Sequence, residues 1–243
     1  MEVLRTGVRR LYPLSLSACM VCFVLFLCLP VQAAQQRESF EQLFGCQAYP
    51  ATLRDFPVYL EKHWSRVLKA EQDHPCLQRT TSCLQPVDAP QWLYLAAKTP
   101  SMNETDLLRT VNAFFNKFSP ASDQENYGVA DYWPTLAEFF SHRSGDCKAY
   151  TLAKYFALRA LGMPDDKLRI VLVYRKKNNT NHSVVAVDTA RGIFILDNSA
   201  RPSDLILPQG KYRAQFIPLF MFNEKGRWTF NQDLKLLDAG NSK

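Results

Sequence analysis

The sequence predicts an α+β fold in which a helical N-terminal lobe packs on an antiparallel sheet. Three observations carry that expectation. Apolar residues recur at helical spacing before about residue 140, β-branched runs follow Lys167, and a helix bounded by glycines stands between the two regions.

In the first half, Tyr59, Leu60, Trp64, Val67 and Leu68 share one helix face. After the capping residues Ser101-Met102-Asn103, a second stripe of Leu107, Leu108, Val111, Phe114, Phe115 and Phe118 makes an amphipathic helix whose aromatics belong to the core. Pro120 to Gly128 reads as a polar loop. Trp133-Pro134 then opens a short helix through about Phe140, because proline is favoured in a first turn. Ser144-Gly145-Asp146 interrupts the chain. Cys147 to Leu161 follows as a helix without internal Gly or Pro, and Gly162 with Pro164 stops it. Leu168 to Tyr174, Ser183 to Val187, Ile193 to Leu196 and about Arg213 to Phe222 read as strands.

A chain of 243 residues with 47% hydrophobic content can bury a substantial core. Its 29 basic and 23 acidic residues, formally +6, are scattered, without the clustered basic and aromatic segments of a nucleic-acid groove. No nucleic-acid partner is therefore expected. Arg5, Arg9 and Arg10, the apolar run Leu14 to Leu29 and Val31-Gln32-Ala33 compose a signal peptide over residues 1–33. The alternative is a retained membrane anchor over residues 14–29, although 16 residues fall short of the roughly 20 needed to cross a bilayer. The remaining domain covers residues 34–243, with a helical lobe over about 39–140 and the catalytic helix and sheet over about 141–232. Cys46, Cys76, Cys83 and Cys147 remain after export. An oxidising compartment would pair two of the first three, and spacing alone does not choose which.

The chemistry centres on Cys147, which the punctuation places in the first turn of a helix. Unpaired N–H groups and the helix dipole favour a thiolate there by about 0.3–1 kcal/mol, so a neighbouring imidazole is still needed to hold the proton. His182 begins one strand and Asp197 ends the next. A four-residue loop, Asp188 to Arg191, would pair Val187 with Gly192 and set His182 directly opposite Asp197 on one face. Asp197 would then orient the imidazole. Asp188 is the competing acid, but six residues along an extended strand is about 20 Å. HExxH, GxSxG and phosphate-cradling glycine loops are missing, which removes support for metalloprotease, serine hydrolase and nucleotide-binding chemistry.

These residues also carry a resemblance. Tyr132-Trp133-Pro134 through Phe139, Gly145-Asp146-Cys147, Ala153-Lys154-Tyr155, Leu158-Arg159 and Leu161-Gly162 are followed by His182-Ser183-Val184-Val185, Ile195-Leu196-Asp197-Asn198, Phe222-Asn223, Gly226 and Trp228. In order and spacing, over about residues 90–230, this set resembles the LapG-like bacterial transglutaminase-like cysteine proteinases. The resemblance implies a papain-like or transglutaminase-like fold, a Cys147-His182-Asp197 triad and a periplasmic location. It further implies cleavage of a large surface adhesin near its N-terminus, which disperses a biofilm, and control by an inner-membrane receptor that senses cyclic di-GMP.

The resemblance also implies calcium beside the nucleophile, and here the sequence departs from it. The family's Asp-Cys-Glu-Asp reads Asp146-Cys147-Lys148-Ala149, so Asp146 is the one retained candidate ligand, Lys148 brings a cation and Ala149 brings no oxygen. Calcium needs several oxygen donors, so weak binding or none is expected. Two alternatives to proteolysis stay open at this point: acyl transfer to an amine by the same triad, and a binding protein on an inactive scaffold.

Overall fold

A computed structural model describes residues 39–52, 55–77, 83–199, 204–205 and 210–230. The expected signal peptide, residues 1–33, lies outside the described residues. In chain order the elements are β1 (Ala48–Pro50), α1 (Val58–Asp73), α2 (Ala89–Lys98), α3 (Glu104–Asn116), β2 (Ser119–Pro120), α4 (Asp123–Tyr127), α5 (Leu136–His142), β3 (Ser144–Gly145), α6 (Cys147–Ala160), β4 (Leu168–Arg175), β5 (Thr180–Thr189), β6 (Gly192–Leu196), α7 (Gly210–Ala214), β7 (Phe216–Phe222) and β8 (Arg227–Phe230). Six strands form an antiparallel sheet in the order β1-β8-β7-β4-β5-β6. Helices precede the sheet's long strands, as the change of period implies.

The helices pack on one face of the sheet. Leu60, Trp64 and Val67 of α1, Leu108, Val111 and Phe115 of α3, and Tyr155 and Leu158 of α6 join Ile170, Val185, Val187 and Phe222 in one apolar cluster. The other face, with Val171, Val173, Val184, Ala186, Ile195 and Met221, is covered by Phe40, Leu43 and Phe44 from a 3-10 turn and by Tyr212. Burial on both faces explains why the strands read as continuous apolar runs instead of alternating ones.

Several local expectations need correction. Tyr59 is 56% exposed, so the buried stripe of α1 is Leu60, Trp64 and Val67 without it. The stretch 120–128 is not a plain loop: Ser122 and Glu125 form a capping box that starts α4, and Gly128, at φ 71°, ends it. Pro134 stands before α5, whose N-cap is Thr135 in a second capping box with Glu138. Arg213 belongs to α7, and the extended run begins at Phe216. Of the pairings left open by spacing, the disulfide is Cys76 to Cys83, with Cys46 outside the bridge.

Candidate active site

The segment before Cys147 is pinned from three sides. β2 and β3 pair in parallel, and the Ala121 N–H donates to the Gly145 carbonyl at 3.0 Å. The Asn126 amide and the Ser144 hydroxyl bond each other's segment at 3.1 and 3.0 Å. Gly145 has no room for a side chain, since a Cβ there would stand 2.4 Å from the Ala149 Cβ. Asp146 caps α6: its Oδ1 accepts the N–H groups of Lys148 at 2.9 Å and Ala149 at 3.1 Å. Cys147 is therefore the first helical residue, as the punctuation indicates.

α6 then docks on β5. It is buried from Ala149 through Leu158, and the hydroxyls of Thr151 and Ser183 lie 3.1 Å apart, one turn beyond Cys147 and one residue after His182. This contact brings the head of the helix to the start of β5. Cys147 and the His182 ring face the same cleft, close enough for the sulfur to act on the imidazole's charge, and His182 Nε2 lies 2.8 Å from Asp197 Oδ1. The imidazole stacks on Phe216, with ring centroids 6.0 Å apart.

The hairpin register differs from the expected one by two residues. Thr189 pairs with Gly192 across a two-residue turn, and Val185 pairs with Leu196. Continued by one step, that register sets Asp197 opposite Val184, so His182 is its diagonal neighbour. A shift of two preserves the face, whereas a shift of one would have separated the pair. Diagonal residues stand about 7–8 Å apart, within reach of an imidazole and a carboxylate. Asp197, not Asp188, is the acid on the ring.

Asp197 is almost fully buried and well satisfied. Oδ1 accepts the Ser199 N–H at 2.7 Å and its hydroxyl at 2.8 Å, Oδ2 accepts the Tyr212 hydroxyl at 2.7 Å, and the backbone carbonyl accepts the Asn116 amide at 3.0 Å. Burial alone would raise its pKa, but the bond to His182 and the Ser199 and Tyr212 donors hold it well below the usual carboxylate range. Burial opposes charge on His182 as well. The bond to Asp197 and the neighbouring Cys147 overcome that, raising the imidazole to about 9. Ser199 directly follows the Ile195-Leu196-Asp197-Asn198 motif, whereas Asn116 and Tyr212 stand next to no catalytic-looking motif and the sequence carries no signal for them.

A cleft of about 510 Å³ runs past Cys147 and His182, walled by Tyr59, Trp133, Leu172, Leu219 and Phe220. Trp133 lines the cleft and, at 2% exposure, also stacks on Phe222 in the core. On the acidic side of the cleft, the Lys148 Nζ lies 2.9 Å from Asp123 Oδ2 and 3.3 Å from Asp131 Oδ1, and also contacts Asp146 Oδ2. Burial opposes the ammonium charge, and Asp146 and Asp123 more than offset it, so the lysine pKa stands above its ordinary value. Lys154, deeper on α6, is 1% exposed, with no hydrogen-bond partner for Nζ; burial lowers its pKa to about 7 against the opposing field of Asp197. A lysine between the apolar runs Leu152-Ala153 and Tyr155 to Leu158 was the available signal for it.

The family model of bacterial transglutaminase-like cysteine proteinases matches residues 74–232. Three solved structures of Legionella pneumophila LapG are similar to this chain. The calcium-bound form is 27% identical with a TM-score of 0.51, covering 72% of this chain and 95% of its own. A second is 28% identical with a TM-score of 0.52, covering 72% and 93%. An EGTA-treated form is 26% identical with a TM-score of 0.52, covering 70% and 86%. No curated protein matches the sequence.

Proposed function

The chain belongs to the bacterial transglutaminase-like cysteine proteinases, and from that premise we propose that it is a periplasmic endopeptidase using Cys147 as nucleophile, His182 as proton carrier and Asp197 as the orienting acid. The family makes it a cysteine peptidase of the papain-like and transglutaminase-like α+β fold, acting on protein. The observation that carries the residue assignment is the 2.8 Å bond between His182 and the Asp197 carboxylate, with Cys147 at the helix head lining the same cleft as the imidazole.

In this mechanism the sulfur attacks a peptide carbonyl carbon in the cleft while the cysteine proton passes to His182. The N–H groups of Lys148, Ala149 and Tyr150 are already bonded to Asp146. The oxyanion donor at the helix head therefore falls to the Cys147 N–H. His182 protonates the departing amine, leaving a thioester. Water then adds, giving its proton to the imidazole, and the C–S bond breaks to release the acid and restore the thiol. Asp197 stabilises the charged ring throughout without taking the proton.

The substrate we propose is a large surface adhesin cut near its N-terminus, with a cyclic-di-GMP-sensing receptor of the inner membrane as regulator. The support is the ordered resemblance to the LapG-like proteinases and the likeness to Legionella pneumophila LapG. Export rests on the signal-like residues 1–33; among the described residues, no helix is long and apolar enough to cross a membrane. Calcium does not fit this chain in the same way. Asp146, the retained candidate ligand, spends Oδ1 on the helix cap and Oδ2 on Lys148, and the nearby Asp123 and Asp131 carboxylates also face that ammonium. An ammonium and a divalent cation cannot share that space.

The test compares terminal sequences of secreted and surface proteins from cells carrying wild type or Cys147→Ala. A new N-terminus on a giant adhesin, made by the wild type alone, is the expected result. Identical termini in both strains would remove the endopeptidase reading, and stable incorporation of a labelled primary amine would replace it with acyl transfer.

A further inference from the structure

We infer that the Lys148 ammonium is a built-in cation that holds together the carboxylates beside Cys147, so that the nucleophile is positioned without a bound divalent ion. The inference rests on the proteinase reading, and it assigns to Lys148 a positioning role.

The three carboxylates come from three separate segments. Asp123 opens α4, Asp131 lies on the connection between α4 and α5, and Asp146 caps α6. Their shared partner is the Lys148 Nζ. Asp123 shows why a cation is required. Its side chain is 2% exposed, Oδ2 accepts the Tyr132 N–H at 2.8 Å and the ammonium at 2.9 Å, and Oδ1 is buried without a hydrogen-bond partner. A buried carboxylate with so few donors is costly unless a positive charge lies beside it. Asp146, 24% exposed and already capping the helix through Oδ1, adds a further negative charge two residues before the lysine.

The consequence for the nucleophile follows from covalent connectivity. Lys148 is the residue after Cys147, and Asp146, which binds its ammonium, is the residue before. Tension between the α4–α5 segment and the head of α6 therefore acts directly on the backbone carrying the sulfur. Without the ammonium, three carboxylates would repel one another at a helix start that must hold Cys147 within hydrogen-bond reach of His182. A lysine so placed carries its cation at every calcium concentration. It also lines the cleft, with the side chain 20% exposed.

The experiment uses the purified protein in calcium-free buffer and measures two things: the rate at which a thiol-directed alkylating probe labels Cys147, with Cys147→Ala as baseline, and Tm with EGTA or with 1 mM calcium, a concentration of the order needed by weak extracellular sites. The wild type is expected to keep its labelling rate and Tm in both buffers. Lys148→Met should label at least about tenfold more slowly, a loss typical of a displaced reacting group, and Lys148→Arg should restore most of the rate. Lys148→Glu, with a fourth carboxylate in place of the cation, should gain a calcium-dependent rise in Tm of roughly 5 °C. Three results overturn the inference: a wild type that loses labelling in EGTA and regains it with calcium, a Lys148→Met variant that labels at the wild-type rate, or a Lys148→Glu variant indifferent to calcium. If Lys148→Met does not fold, the Lys148→Arg and Lys148→Glu results decide. Absence of Cys147 labelling in the wild type, with the Tm responses as expected, would instead remove the proteinase reading and leave the internal cation standing.

Discussion

His182 and Asp197 meet through a 2.8 Å bond between Nε2 and Oδ1, with both side chains buried. A buried carboxylate in this position fixes the ring's tautomer and supports its charged form. Asp197→Asn keeps the shape and removes both effects. It is expected to lower kcat by about ten-thousand-fold with a much smaller change in KM, measured on the cleaved substrate or on a peptide spanning the cut.

The same pair makes stability depend on pH in a defined window. Asp197 and Cys147 push the His182 pKa up to about 9 in the folded protein, against about 6.5 for a free histidine. A folded pKa above the unfolded one means that the stabilisation is complete below pH 6.5 and disappears as pH rises through 9. The contribution is on the order of 3 kcal/mol. Tm should therefore fall between pH 6.5 and 9, and His182→Gln should flatten that part of the profile. An unchanged slope in the variant would refute the assignment.

Glu71 gives a separable pH effect. Its carboxyl is buried, and burial raises its pKa to about 7 although the Leu136 N–H donates to Oε1 at 2.6 Å. The folded state prefers the protonated form, so stability is greatest below about 4.5 and declines as pH rises through 7. Glu71→Gln retains an acceptor for Leu136 and carries no charge. It should raise Tm at pH 8 and leave it nearly unchanged at pH 4.5; equal shifts at both values would contradict the account.

The Cys76–Cys83 bridge closes a short loop behind α1. Loop-closure entropy for so few residues is worth about 2–3 kcal/mol, or roughly 5–10 °C in Tm for a domain of this size. The double variant Cys76→Ser, Cys83→Ser should melt lower by that amount while its Cys147 labelling at 25 °C stays close to wild type. Calorimetry with and without reductant provides an independent measurement.

Legibility followed the range of the interactions. α3 and α6 were readable because a helical stripe and its caps are local: Asn103, Asp146 and Gly162 announce the ends from within a turn of them. The strands after Lys167 were readable from their β-branched runs, but β1 and β8 were not, since three or four residues carry too little pattern. The hairpin register was misjudged by two because a tight Ala190-Arg191 turn and a longer loop fit the same residues. The expectation that His182 meets Asp197 survived because the error was even. Tyr212 and Asn116 reach Asp197 from distant segments, and nothing in their neighbourhoods marks them.

Residue types and local spacing by themselves determined that a thiol starts a helix, that an imidazole and a carboxylate lie on adjoining strands, and that the family's acidic pattern is broken at Lys148 and Ala149. Only the tertiary structure decided that the helix head docks beside the hairpin and that the Lys148 ammonium turns toward Asp123, Asp131 and Asp146. The physical reason is that caps and periodicity act within a turn or two of chain, whereas side-chain direction at a site is set by packing and charge from segments that are distant in sequence.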